Sequence, residues 1–329
     1  MKAIRIHSYG TPDLMQLDEL PIPVPGAGEV LIRVEAASVN FIEIQHRRGD
    51  LLKQDFYKRE GAFDYELPQI LGSQGIGIVE VLGADVTHVQ VGDRVDFFGK
   101  SYATHAIAPA ARLIPVPESL TLEQAAAGMT QGFIAYELTH TAYPVKENDW
   151  CLVQAAAGGL GTFLCQMAKL RGGKVIGVVS SEAKMQAAKE AGADEVIIST
   201  QANIAEEARR ITAGKGVNVV YDGVGKGTFE ANLDSLAPRG SLMIYGQASG
   251  FIPPFDLMRL QDKGSLFISR NSPAFYFDVF PHYLQDFVAW VGQGKLSIKI
   301  DRTYPLVDAA QAHAAFENRQ TIGRVLLIP

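Results

Sequence analysis

Residues 154–161 read Gln154-Ala155-Ala156-Ala157-Gly158-Gly159-Leu160-Gly161. A strand pattern precedes this run and a helix pattern follows it. In that context a glycine-rich turn can seat a pyrophosphate. The missing side chains at Gly158 and Gly159 permit tight backbone geometry and close approach of an anion. A helix beginning near Gly161 would add unsatisfied N–H groups and the positive end of its dipole. Ala157 and Leu160 would complete the loop, and Leu164, Cys165 and Ala168 would face a sheet. The run is not a full GxGxxG, because Ala156 holds the first glycine position. The alternative is a purely structural strand-to-helix turn.

The end of the next strand bears on the choice of dinucleotide. A site for NAD places Asp or Glu there, about 20 residues on, against the ribose diol. Here the strand ends Gly177-Val178-Val179-Ser180-Ser181, and Glu182 follows it. Ser180, Ser181 and Lys184 suit a 2′-phosphate, which favours NADP(H). The alternative is that Ser181 caps a helix and Lys184 is solvated. Gly223, in Tyr221-Asp222-Gly223-Val224-Gly225, and Gly246 with Gln247 follow the next two strand patterns. Ligands of an open parallel sheet bind beyond the carboxyl ends of its strands. These loops are therefore candidates for the walls of a nicotinamide site.

The elements that must position these residues follow from periodicity. Lys2–Ile6 and Val30–Ser38 alternate, and a strand-rich block from Ile76 to Phe98 breaks at Gly83 and Gly92-Asp93. Asp50–Pro68 reads as a surface loop or lid with a short helix. Thr121-Leu122-Glu123-Gln124 is a capping-box pattern ahead of an alanine-rich helix. From Trp150 the pattern predicts strands at Trp150–Gln154, Val175–Val179, Glu195–Ile198, Val217–Tyr221, Ser241–Tyr245 and Ser265–Ser269. Helices are predicted at Gly161–Leu170, Glu182–Ala191, Ile204–Ile211 and Thr228–Leu236, the first three stopping at Gly172, Gly192 and Gly214. Short apolar strands alternating with helices indicate a doubly wound parallel sheet of six strands. The tail adds helices at Phe277–Gln293 and Val307–Glu317 and strands at Ile298–Tyr304 and Arg324–Ile328.

Composition sets outer bounds. With 329 residues, 47% of them hydrophobic, the chain can bury a large core and form two domains. A net charge of −6 without a basic stretch argues against a nucleic-acid surface. The two cysteines, Cys151 and Cys165, form no metal-ligand cluster and are expected to pack in the core. No apolar run is long enough for a signal peptide or a membrane span, so a reducing, cytoplasmic setting is expected.

Taken together, several segments resemble a known family. They are Ala36-Ala37-Ser38-Val39-Asn40-Phe41, Leu71-Gly72-Ser73-Gln74-Gly75, Val91-Gly92-Asp93-Arg94-Val95, the turn at 155–161, Val220–Gly225 and Gly323-Arg324-Val325-Leu326. In this order, over nearly the whole chain, they resemble the zeta-crystallin-like quinone oxidoreductase branch of the zinc-independent medium-chain dehydrogenase/reductase superfamily. The resemblance implies an α/β protein with a GroES-like β-rich catalytic domain (1–122 with 266–329) and a Rossmann NADP-binding domain (123–265). It further implies a cleft between them and a homodimer, often through edge strands. Asn40, with Phe41 and Thr130, is then the candidate catalytic group. Ala157, Gly158, Gly159 and Leu160 match the pyrophosphate loop, and Ser180 and Lys184 the 2′-phosphate region. Gly246, Gln247, Ser269 and Arg270 match segments bordering the cofactor. Gln131 stands where many relatives carry lysine facing the cofactor, and Thr200 where tyrosine is frequent. Gln74 replaces a common glutamate and Glu43 a common aspartate, and Asp50–Pro68 looks longer than usual.

No zinc site is expected, because Ser38-Val39-Asn40 and Ser73-Gln74 lack the ligands that zinc-dependent relatives use. Hydride from NADPH can reduce a small hydrophobic quinone or enone without a metal, since such an acceptor is already electrophilic. Asn40 could hydrogen-bond the developing oxyanion or the nicotinamide ribose. Tyr136 and Tyr57 are possible proton donors, with packed or surface tyrosines as the alternative. Phe41, Phe133 and Phe251 could wall the site or simply pack. His46 reads more readily as a solvated loop residue than as a pocket residue. The competing functions are reduction of 2-alkenals or other electrophiles, and NADPH binding in a structural, RNA-binding or regulatory role.

Overall fold

Alternating apolar residues at the N-terminus fold as the pattern predicts. The computed structural model describes residues 1–53 and 65–329, the side chain of Lys53 excepted, so Tyr57 and most of Asp50–Pro68 lie outside the described residues. The first segment contains β1 (Lys2–Ile6), β2 (Met15–Glu19), β3 (Glu29–Val39), helix α1 (Phe41–Arg48), β4 (Gln69–Ile70), β5 (Gln74–Leu82), β6 (Arg94–Phe98), β7 (His105–Pro109) and β8 (Ile114–Pro115). Inward residues Val30, Ile32, Val34 and Ala36 of β3 are buried. Val30, Ile32 and Val34 pack with Val79, Val95 and Phe97, and each of these side chains contributes about 1.5–3 kcal/mol through burial. Gly83 is where the chain folds back. A Cβ there would stand 1.8 Å from the Gly26 carbonyl oxygen.

Helix α2 (Leu122–Tyr136) begins with the anticipated box. Thr121 N donates to Gln124 Oε1 at 2.9 Å, and Gln124 N donates to Thr121 Oγ1 at 3.1 Å. A π-helical turn at Glu137–Ala142 extends it. The alternation that follows is β9 (Trp150–Val153), α3 (Gly159–Leu170), β10 (Lys174–Val179), α4 (Met185–Glu190), β11 (Glu195–Ile198), α5 (Ile204–Ile211), β12 (Val217–Asp222), α6 (Phe229–Ser235), β13 (Leu236–Ile244), α7 (Met258–Asp262), β14 (Phe267–Arg270) and α8 (Phe280–Gly292). Six parallel strands lie in the order β11-β10-β9-β12-β13-β14, the doubly wound arrangement expected from the sequence. Gly172, Gly192 and Gly214 end their helices with φ of 81°, 97° and 83°, as glycine in the left-handed region should. Cys151 and Cys165 are buried, as are Leu164 and Ala168. Helix α8 starts later than predicted. Pro281 is accommodated only in a first turn, and Pro273–Val279 before it forms a 3-10 segment.

The last elements are β15 (Ile300–Pro305), α9 (Ala309–Glu317) and β16 (Arg324–Ile328). They join a seven-stranded sheet in which β16 lies between β15 and β3. The chain thus forms two compact units, Met1–Met129 with Ile300–Pro329, and Thr130–Lys299. These divisions differ from the expected ones at 122/123 and 265/266. Strand β14 pairs with β13, and Phe280, Tyr283 and Phe287 of α8 pack against Phe133 and Phe163. Residues 266–299 therefore belong with the parallel sheet. The start of α2 belongs with β3, because Ser38 Oγ donates to the Ala126 carbonyl at 2.6 Å. No helix among the described residues is long and apolar enough to cross a membrane.

Candidate functional site

The glycine-rich turn is held by its neighbours in the sheet. Gln154 N donates to the Tyr221 carbonyl and Ala156 N to that of Val178, each at 3.0 Å. The tight corner is made by Ala155, whose φ is +52°, and not by Gly158 or Gly159 as the sequence suggested. Gly158 is instead the N-cap of α3, with φ −83° and ψ 172°. The helix therefore begins at Gly159, two residues before the expected start. Its first turn, Gly159-Leu160-Gly161, has no intrahelical acceptors for its N–H groups, and the N-cap, Gly158, has no side chain to cap them. Ala157, 2% exposed, anchors the loop. These donors and the helix dipole suit a phosphate.

Ser180 and Ser181 lie just past the end of β10, and Lys184 closes a 3-10 turn spanning Glu182–Lys184. Ser181 occupies the cap position, but its side chain makes no capping bond there. Thr200 joins this group by donating from Oγ1 to the Ser180 carbonyl at 3.2 Å. Glu182 accepts from Gln201 Nε2 at 3.3 Å.

At the ends of β12 and β13 two loops approach closely. A Cβ on Gly223 would meet the Tyr245 ring at 2.4 Å, and one on Gly246 would meet the Gly223 carbonyl oxygen at 2.6 Å. Buried Asp222 shapes the first loop by accepting from Val224 N at 2.8 Å, Gly225 N at 3.1 Å and Thr228 Oγ1 at 3.0 Å. Burial raises its pKa, and these hydrogen bonds oppose the shift. Arg270, at the end of β14, donates from Nη2 to Gln247 Oε1 and from Nη1 to the Ile244 carbonyl, both at 3.2 Å. Ser269 lies in register with Met243. Gly223, Gly246, Gln247 and Arg270 are thus brought together at one end of the sheet.

Thr130 and Gln131 follow one another on α2. Thr130 Oγ1 is buried with no hydrogen-bond partner among the described residues. One turn earlier, the Ala126 carbonyl, to which a helical threonine commonly turns, already accepts from Ser38. Tyr136 is not set up as a proton donor. Its hydroxyl donates to Asp286 at 3.1 Å, its ring stacks on His140 at 4.2 Å, and burial with Asp286 pushes its pKa up to about 12. Phe133 is a buried member of the aromatic cluster against α8. His46 is neither solvated nor in a loop. It lies buried in α1, edge-on to Tyr65 at 5.8 Å.

Asn40 and Phe41 belong to the first unit, where Asn40 is the N-cap of α1 and Phe41 its first residue. The Phe41 ring lies 6.4 Å from that of Phe316. Asn40 sits in a polar cluster that the sequence did not reveal. Glu43 Oε2 accepts from Asn40 N at 2.7 Å and Oε1 from Asn40 Nδ2 at 3.2 Å, while Arg324 Nη2 donates to Asn40 Oδ1 at 2.9 Å. Ser73 donates to the same carboxylate through its N–H and its hydroxyl. The signal was present, because Asn40-x-x-Glu43 repeats the capping pattern read at Thr121–Gln124. At the positions considered for zinc, Ser38 bonds Ala126, Ser73 bonds Glu43, and Gln74 Nε2 donates to Asp96 at 3.1 Å. Among the described residues no group of three or more His, Cys, Asp or Glu is placed to hold a metal ion.

Comparison with known proteins gives a consistent picture. Residues 26–118 match the alcohol dehydrogenase GroES-like domain, and residues 159–285 match the zinc-binding dehydrogenase family. The chain is 37% identical to a quinone oxidoreductase of Pseudomonas aeruginosa, covering 100% of this chain and 99% of that one. It is also 37% identical to a 2-haloacrylate reductase of Burkholderia sp, over 98% of each chain. The structure of Escherichia coli quinone oxidoreductase complexed with NADPH superposes with a TM-score of 0.92, at 33% identity and 100% coverage of both chains. The chain therefore belongs to the quinone oxidoreductase branch of the medium-chain dehydrogenase/reductase superfamily.

Proposed function

We propose that this protein is an NADPH-dependent reductase that acts on a small quinone or conjugated carbonyl compound without a metal. The observation that carries the reading is the uncapped first turn of α3 behind the Ala155 corner, next to Ser180, Ser181, Lys184 and Thr200. The residues fit a phosphorylated dinucleotide. Backbone N–H groups of Gly159, Leu160 and Gly161 would hold the pyrophosphate, and the serines with Lys184 would hold a 2′-phosphate. The Gly223–Gly246 loops, with Gln247, Ser269 and Arg270, would border the nicotinamide, as would Thr130 and Gln131.

NADPH, when bound, supplies a hydride to an electrophilic carbon. Asn40 then stabilises the phenolate or enolate oxygen that results, with Phe41 alongside the acceptor. Ser38, Ser73 and Gln74 are committed to bonds within the fold, which supports the metal-free reading. Tyr136 is tied to Asp286 and is set aside as a donor, and the proton can come from solvent. The similarity to a 2-haloacrylate reductase favours one second reading, reduction of another activated alkene.

The test has two arms. NADPH oxidation is followed with and without 1,4-benzoquinone, 9,10-phenanthrenequinone and a 2-alkenal. NADPH and NADH are then titrated against the wild type and Lys184→Ala. The wild type should prefer NADPH, and the substitution should weaken NADPH binding about tenfold with little effect on NADH. Tight NADPH binding without turnover of any acceptor would favour a purely cofactor-binding role. Equal losses for both cofactors would remove Lys184 from the phosphate site.

A further inference from the structure

Arg324 and Glu43 hold the amide of Asn40 from opposite ends. Antiparallel pairing of Val325 with Val39 and of Leu326 with Ser38 brings Arg324 level with Asn40. Its Nη2 donates to Oδ1 at 2.9 Å, while Glu43 accepts from Nδ2 at 3.2 Å. Glu43 is 0% exposed and Arg324 is 3% exposed. Among the described residues Glu43 receives four hydrogen bonds, from Asn40 N and Nδ2 and from Ser73 N and Oγ.

A guanidinium can only donate, and a carboxylate that gathers four donors acts as the acceptor. Together they fix which end of the amide is oxygen and which is nitrogen. A cation on the oxygen also favours the amide's dipolar form, which strengthens its N–H groups as donors. Burial raises the Glu43 pKa against the hydrogen bonds from Ser73 and Asn40, and lowers that of Arg324 to about 10 against the opposing pull of Glu43.

We propose that Arg324 and Glu43 are positioning residues for the reduction, fixing Asn40 so that its nitrogen and not its oxygen meets the electron-rich oxygen of the reduced acceptor. This deepens the function proposed above and rests on Asn40 contacting the acceptor.

The experiment measures kcat for 1,4-benzoquinone and KM for NADPH in the wild type, Asn40→Ala, Arg324→Met, their double variant, Glu43→Asp and Glu43→Gln. Thermal melts check folding. Asn40→Ala and Arg324→Met should each lower kcat at least about tenfold and leave the NADPH KM within about twofold. The double variant should fall no more than about twofold below Asn40→Ala, because Arg324 acts through Asn40. Glu43→Asp should retain more kcat than Glu43→Gln. Should Arg324→Met fail to fold, Glu43→Gln combined with Asn40→Ala completes the same cycle. Single losses that multiply in the double variant, or wild-type kcat in Arg324→Met, overturn the positioning role while leaving Asn40 in place. Wild-type kcat in Asn40→Ala overturns the role of Asn40 itself and the inference with it.

Discussion

The Ala155 carbonyl oxygen occupies the space into which a side chain at Gly161 would grow, 2.2 Å from an ideal Cβ. Both partners are fixed, one by a left-handed backbone and the other by the first turn of α3. Gly161→Ala should therefore open the corner and displace the N–H donors. A loss of about 1–3 kcal/mol in stability is expected, with at least about tenfold weaker NADPH binding. Gly158→Ala, whose Cβ would stand 3.1 Å from the same oxygen, should be milder. Fluorescence titration and thermal melts compare the two, and equal effects would contradict the geometry.

Thr130→Val removes a buried hydroxyl that lacks a partner among the described residues. Stability without cofactor should hold or rise by up to about 1 kcal/mol, since an unsatisfied polar group is replaced by an isosteric methyl. If Thr130 meets bound ligand, kcat/KM should fall about threefold to tenfold. Unchanged kcat/KM would remove Thr130 from the site.

Glu137 accepts from Asn271 Nδ2 at 2.8 Å, yet its Oε2 and Asn271 Oδ1 are both buried without partners among the described residues. Burial pushes its pKa up to about 7, against the opposing pull of the Asn271 bond. The raised value means that the folded protein holds this proton more tightly than the unfolded chain. Stability attached to it is fully present below pH 4.5 and is lost as pH rises to about 7. Glu137→Gln, which supplies a permanent donor, should be more stable than wild type at pH 8, by at most about 3 kcal/mol, and gain nothing at pH 4.5. Thermal melts at the two pH values decide the matter, and a pH-independent difference would count against it.

Self-association should run through β14, one of the two outer strands of the parallel sheet, where Phe267 is 61% exposed. An apolar edge strand readily pairs with a second one. The wild type should sediment as a dimer at micromolar concentration and Phe267→Lys should shift towards monomer. A monomeric wild type would end this proposal.

The parallel sheet was legible because each of its elements carries its own signal. Apolar runs of strand length, glycines at helix ends and a glycine cluster at one βα turn all agree. Strands β2 and β7 were not anticipated. Their existence depends on partners, β1 and β3, far enough along the chain that local alternation says little. The compact units divide at 299/300 and not at the expected 265/266 for a related reason. Pairing of β14 with β13, not composition, decides where Phe267–Arg270 belongs. In the site, the phosphate-binding candidates are contiguous and could be read directly. The Asn40 cluster could not, because Ser73 and Arg324 reach it only through the fold. The corner residue also escaped notice, since nothing in the type of Ala155 announces a positive φ.

Because β16 is laid between β15 and β3, the guanidinium that meets Asn40 arrives 284 residues after it. A chain still being translated therefore has all of Thr130–Lys299 in hand, the glycine-rich turn included, before the Arg324 guanidinium that meets the amide of Asn40 is made.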